Sequence, residues 1–308
     1  MKRSLRAALL GCGVLVAMGA SQSRADGPAC AGIQARWEST KADLQTPQIS
    51  ALLFAAADNG CPAVAETLLA AGALIEAKDR FGNTPLAHAA RAGQIDMLQT
   101  LLAHGADIGH QNLGGSSALF SAIERHQPAA AAFLLAHGAD PRQPGRSGVA
   151  PLAAAAFVGD DATAALLLTR HADPNIADST GKTPVVYAAG NADLPIVKRL
   201  LASGVDVNAR YGNDLTALMW AAGYADSATE ANGIAVVSYL LDHGAQIDAI
   251  DNRGHTALMI AAERGHAAVA KLLLARGANP AIKDQDGKTA RDLATLPDVK
   301  QVFPAPPG

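Results

Sequence analysis

Leu101-Leu102-Ala103-His104-Gly105-Ala106-Asp107 decides how this chain folds, because its phrase of two leucines, two spacers and Gly-Ala-Asp returns along the whole sequence. The closing glycine recurs at Gly72, Gly105, Gly138, Gly204, Gly244 and Gly277, and His171 takes its place in one copy. Successive intervals are 33, 33, 33, 33, 40 and 33 residues. A period held this constantly marks one supersecondary unit stacked on itself, not a single closed core.

Working outward from the quoted phrase, the same unit begins at Asn83-Thr84-Pro85-Leu86-Ala87-His88-Ala89-Ala90-Arg91-Ala92-Gly93. Thr84 is placed to cap a helix whose first turn tolerates Pro85, since that N–H has no partner within the helix. Leu86, Ala89 and Ala90 share one face, and Gly93 ends the helix. Ile95, Leu98, Leu101 and Leu102 then form the apolar stripe of a second helix, which Gly105 closes. Only about 4% of the residues are aromatic against 49% apolar in all, so the interior has to be built from Ala, Leu, Val and Ile.

Thr-Pro-Leu, Ala-Ala, Gly and Leu-Leu-x-x-Gly-Ala-Asp at these offsets resemble the ankyrin repeat, over roughly residues 49 to 296. The resemblance implies an all-α solenoid of about seven helix-turn-helix repeats with N- and C-terminal caps. Its usual His after Thr-Pro-Leu is replaced by Ala87, Phe120, Ala153, Val186, Met219 and Met259, and Ser117-Ala118 and Ala150-Pro151 replace Thr-Pro. These departures point to the third and fourth units as the softest part of the stack.

The expected organisation is a signal peptide over 1–25, a capping helix within 26–48, seven repeats over 49–286, and a C-terminal cap with a loose proline-rich tail over 287–308. Lys2, Arg3 and Arg6 precede an uncharged, mostly apolar run from Ala7 to Ala20, as in a secretory signal. Cleavage after Ala20 or after Ala25 fits, while Leu9-Leu10-Gly11-Cys12 would instead make Cys12 a lipid anchor. The run is too short for comfortable membrane spanning. Ile33, Trp37 and Leu44 punctuate the expected capping helix, Gly32 to Leu44.

Residues 1–25 hold four of the 25 basic residues and none of the 28 acidic ones, so the chain without them carries a net charge of −7. That balance argues against nucleic acid, which demands a concentrated basic stripe. Cys30 and Cys61 remain as an even pair, which suggests a disulfide in an exported protein; two separate thiols are the other reading.

The 40-residue interval places an insertion in the sixth unit, at Ala225 to Gly233. It reads either as a tolerated surface loop or as a contact finger beside a groove. His104, His137 and His243 repeat at one position, but units roughly 10 Å apart cannot bring such a column onto one ion; they suit helix C-termini instead. No phosphate loop, His-Glu-x-x-His, Cys-x-x-Cys or Gly-x-Ser-x-Gly occurs. The expectation is a protein that is not an enzyme and needs no metal or cofactor.

The resemblance further implies that partners dock on the concave side, formed by the turn tips and the exposed side of each unit's first helix. Carried onto this sequence, those offsets nominate Phe81, Phe157, Tyr187, Trp220, Tyr224, Arg253 and Ile260, with His88 and Leu113 among further positions. Tyr187, Trp220 and Tyr224 are scarce residue types here, and with Phe157 they fall on neighbouring units. Large amphipathic rings in a groove are what interaction hot spots are made from. The expected function is a monomeric, periplasmic or secreted scaffold that binds an exported protein, expected to be an enzyme, to assist, tether or inhibit it. Alternatives are a host-directed effector and a receptor for a small ligand or metal.

Overall fold

The computed structural model of the protein describes residues 27–303, and every regular element among them is helical. Helix α1 (Pro28–Thr40) precedes two-helix units. The first pairs α2 (Thr46–Asn59) with α3 (Pro62–Ala70), and the second α4 (Pro85–Ala92) with α5 (Ile95–Ala103). Then come α6 (Ala118–Glu124) with α7 (Pro128–Ala136), α8 (Pro151–Val158) with α9 (Asp161–Thr169), and α10 (Pro184–Gly190) with α11 (Leu194–Ala202). The array closes with α12 (Ala217–Ala222) and α13 (Glu230–Asp242), α14 (Ala257–Arg264) and α15 (Ala267–Ala275), and a shortened pair, α16 (Ala290–Leu293) and α17 (Pro297–Lys300). First helices pack on first helices and second on second, giving a two-layered stack. No helix among the described residues is long and apolar enough to cross a membrane.

Sequence chemistry accounts for the starts and stops. The side chains of Thr84, Ser117, Thr216 and Thr256 each accept a hydrogen bond from the backbone N–H three residues on, so Ser117 does the work of the missing Thr in unit three. Ala150 has no side chain to offer, and Thr183 makes no capping bond. Among the first helices of units two to seven, the starts without a side-chain cap therefore lie in unit four, as Ala150 suggested, and in unit five, where Thr183 is present but makes no such bond.

The first leucine of each copy of the quoted phrase, from Leu68 to Leu273, is fully buried, as are paired alanines such as Ala89-Ala90 and Ala188-Ala189. Small Ala faces let first helices approach closely, while the leucines fill the space between layers. The closing glycines take φ between +86° and +98°, and nothing lies within 4 Å of where a Cβ would stand at Gly105 or its equivalents. Conformation, not room, therefore requires glycine there. His171 adopts the same left-handed conformation, at φ +61°, without glycine's freedom.

At the N-terminus a disulfide joins Cys30 of α1 to Cys61 in the turn between α2 and α3, with Cα atoms 5.5 Å apart. Both cysteines are buried, so the bond holds α1 over the end of the core. At the other end Phe303, expected to be loose, is buried, and its carbonyl accepts a bond from Arg291 Nη1 at 3.2 Å. The proposed signal segment 1–25 and the tail 304–308 lie outside the described residues.

The insertion divides in two: Ala225 and Asp226 at its start line the concave side, and the rest leads into a helix. Part of it lengthens α13 to 13 residues, against 9 in α11 and α15, by adding a turn at its start. Gly233 sits in that turn directly against the Tyr224 ring; a Cβ there would come within 2.2 Å of it.

Candidate partner-binding face

The turn tips are rigid because an acidic or amide side chain folds each of them. Asp79 accepts hydrogen bonds from the backbone N–H groups of Phe81 and Asn83, and Asn112, Asp178, Asp251 and Asp284 repeat the pattern. Burial works to raise the Asp79 pKa, but these bonds, with those from the side chains of Asn83 and His88, outweigh it and bring the carboxyl to about 2.

Two tips break the pattern, where Gly145 and Tyr211 occupy the corresponding positions. Short 3-10 turns form there instead, Arg146–Gly148 and Gly212–Asp214, with Ser147 and Asn213 in the left-handed region at φ +57° and +63°. Gly145 has a visible cause. The buried ring of Phe120 lies 2.5 Å from where its Cβ would stand, so a large residue on α6 excludes a side chain at the next tip.

Across these tips and the first helices runs a trough made of four bays that share walls. Phe81, Leu113 and Arg125 line the first, of about 490 Å³. It meets the second, under Phe120 and Phe157, at Glu124 and Arg146. Phe157, Lys182 and Tyr187 then divide the second bay from the third, and Trp220 and Arg264 divide the third from the fourth. The trough thus extends from unit two to unit seven.

At its centre Phe157 is 60% exposed and meets Tyr187 edge to face, with centroids 5.7 Å apart. Tyr187 is half-buried and donates its hydroxyl to Asp178 Oδ2; burial, and then this carboxylate, push the phenol pKa well above its ordinary value. Lys182 Nζ lies 5.8 Å from the Tyr187 ring and 5.4 Å from the ring of the partly buried Trp220. Asn191 Nδ2 donates to the Phe157 carbonyl at 2.7 Å, fixing the end of α8 to the next unit. Phe81 is 54% exposed beneath the Arg80 guanidinium, 4.6 Å away, and its neighbour Leu113 is 84% exposed.

Three other nominated positions are corrected in depth: Tyr224 and Ile260 line the third and fourth bays but are nearly buried, and His88 is buried too. Tyr224 is only 8% exposed and stands edge-on to the His266 ring at 3.9 Å, covered by the lengthened α13. Ile260 is equally buried, against Gly223. His88, placed on the surface by its offset, instead sits in the core with Nδ1 3.0 Å from Asp58 and Nε2 3.2 Å from Asp79. Arg253 is exposed, but its Nε and Nη2 are occupied by Asp251 Oδ2 at 3.0 and 2.9 Å.

The repeated histidines act locally. His137 and His243 each donate from Nδ1 to the carbonyl four residues back, at 2.8 Å, at the ends of α7 and α13. Among the described residues no group of three or more His, Cys, Asp or Glu is arranged to hold a metal ion.

Comparison with known proteins returns the same repeat. The family description for ankyrin repeats in three copies matches residues 52–144 and 152–230, that for many copies matches 240–294, and the single-repeat description matches 213–252. A stretch of 69 residues is 46% identical to the E3 ubiquitin-protein ligase hecd-1 of Caenorhabditis elegans, which covers 22% of this chain and 2% of that protein. The chain therefore spans a very small fraction of this relative's length.

Proposed function

The chain belongs to the ankyrin-repeat family, whose repeats mediate protein–protein interaction, and from that premise we propose that it is a non-enzymatic scaffold, exported to a bacterial periplasm or secreted, that grips one exported protein along the trough. The observation that carries the reading is Phe157, a ring 60% exposed in a chain poor in aromatics, braced by Tyr187 at the middle of a continuous concave channel. Exposed aromatic anchors beside satisfied polar groups are the usual centres of binding energy. Export is supported by the basic-then-apolar start of the sequence and by the buried Cys30–Cys61 disulfide, which suits an oxidising compartment.

A photo-crosslinking residue placed at Phe157, and separately at exposed Lys271 on α15, tests the docking face in envelope extracts. A protein adduct at 157 but not at 271 is expected. Equal adducts, or adducts at 271 only, would overturn the concave-face assignment. Fractionation of the expressing cells tests export independently, with recovery in the cytosol as the contrary result.

A further inference from the structure

The first bay of the trough differs from the rest in charge. Several arginines elsewhere are satisfied within the chain: Arg276 Nη1 reaches Asp242 at 2.7 Å, Arg199 Nη2 reaches Asp161 at 2.8 Å, and Arg210 Nη1 donates to the Ile250 carbonyl at 2.7 Å. In the first bay, Arg125 and Arg146 are exposed and their side chains have no ion pair or hydrogen bond among the described residues, and at its edge Arg80 lies over Phe81. Glu124 is the one acidic residue lining this bay. Asp58 and Asp79 behind it are engaged with His88, Arg91 and Asn83. Beside these cations stand Phe81 and Leu113, the latter 84% exposed. Farther along, Glu124 and Asp178 balance Arg146 and Lys182 in the second bay, and the third and fourth bays each set two cations against one carboxylate, so the local excess of positive charge is greatest in units two to four.

An unpaired guanidinium next to exposed apolar side chains is unusual on a chain whose net charge is −3, and it specifies its complement. We propose that this bay receives an extended acidic segment of the partner protein, whose carboxylates meet Arg125 and Arg146 while an apolar side chain between them packs on Phe81 and Leu113. The proposal rests on the concave-face reading above and names the chemistry of what docks there. Three stacked units span roughly 20–30 Å, which an extended chain covers in about nine residues. Nucleic acid fits less well, because the cations form one bay instead of a stripe.

The test uses fluorescent peptides of about 12 residues, built from repeated Asp-Leu-Glu-Ser, with one control that has Lys for both acids and another that has Ser for Leu. Single-stranded oligothymidylate of the same length is the nucleic-acid control. The acidic-apolar peptide alone is expected to bind, at least about tenfold more weakly to the Arg125→Glu/Arg146→Glu protein and in high salt. Phe81→Ser/Leu113→Ser should weaken it comparably, and because all four side chains are exposed, both variants should keep the native unfolding midpoint. Absent binding of the acidic-apolar peptide, equal binding of the lysine peptide or oligothymidylate, or indifference to the charge reversal would overturn the proposal. If that happens while crosslinking at Phe157 persists, only the acidic bay fails. If crosslinking at Phe157 is lost too, the concave-face reading fails with it.

Discussion

Units four and five and the neighbouring sixth unit contribute similar rings to the same face and use them in opposite ways. Phe157, in the last turn of α8, remains exposed, while Tyr187 lies beside it, held through its hydroxyl by Asp178. Tyr224 follows α12 at a comparable place, but the inserted residues lengthen α13 and lay Gly233 over it, so the ring becomes core packing against His266. The repeat period sets which way a side chain faces. What is built over it sets whether it meets solvent.

The largest effect that would break this comparison is at Tyr224. Tyr224→Ala should destabilise the protein by about 3 kcal/mol in urea unfolding, by removing a buried ring, whereas Phe157→Ala should change stability by less than about 0.5 kcal/mol. Partner binding should show the reverse, with Phe157→Ala costing about 2 kcal/mol. If the two variants behaved alike in either assay, the distinction between contact and core would be lost.

The glycine over the ring sharpens the point. A methyl group at Gly233 meets the Tyr224 ring, so Gly233→Ala should cost about 1–3 kcal/mol through overpacking. Gly32, in helix α1, has nothing within 4 Å of its Cβ position, and there the same change should stabilise by about 0.5–1 kcal/mol. Comparing the midpoints of the two alanine variants checks both signs.

Smaller still is the expected gain from restoring the repeat. His171→Gly should raise stability by about 1 kcal/mol by relieving a left-handed conformation, measurable as a rise in thermal midpoint; a fall would show that the imidazole makes a compensating contribution.

The finest test is pH. Burial, the leading cause, holds His266 below its ordinary pKa despite the opposing pull of Asp226 and Glu230. The folded protein therefore resists a proton that the unfolded chain accepts. This contribution is complete above pH about 6.5 and declines as pH falls from there toward the lower folded value. The loss of stability on moving from neutral to mildly acid solution should be smaller in His266→Phe than in the native chain.

Much of this was legible beforehand because the determinants are local and repeated. Thr84 before Pro85 and glycine after the leucines encode helix starts and stops through nearest-neighbour geometry, and seven copies in phase leave little freedom for another fold. The exposed Phe81 and Phe157 were legible for the same reason, since a solenoid fixes the direction of each offset. The depth of Tyr224, Ile260 and His88 was not legible because it depends on neighbours that the offset does not specify: the turn added to α13, the contact at Gly223, and the carboxylates Asp58 and Asp79. The pairing of large Phe120 with small Gly145 was visible as two separate departures from the repeat, and only packing joins them into one.

The sequence by itself determined the stack, its period and the direction in which each offset of the repeat faces, because periodicity converts position in the chain into direction in space. The tertiary structure decided which rings remain open, which cations remain unpaired and how the bays run together. Those properties come from contacts between residues about 30 apart, between one unit and the next, where shape and charge complementarity act without leaving a local signature in the chain.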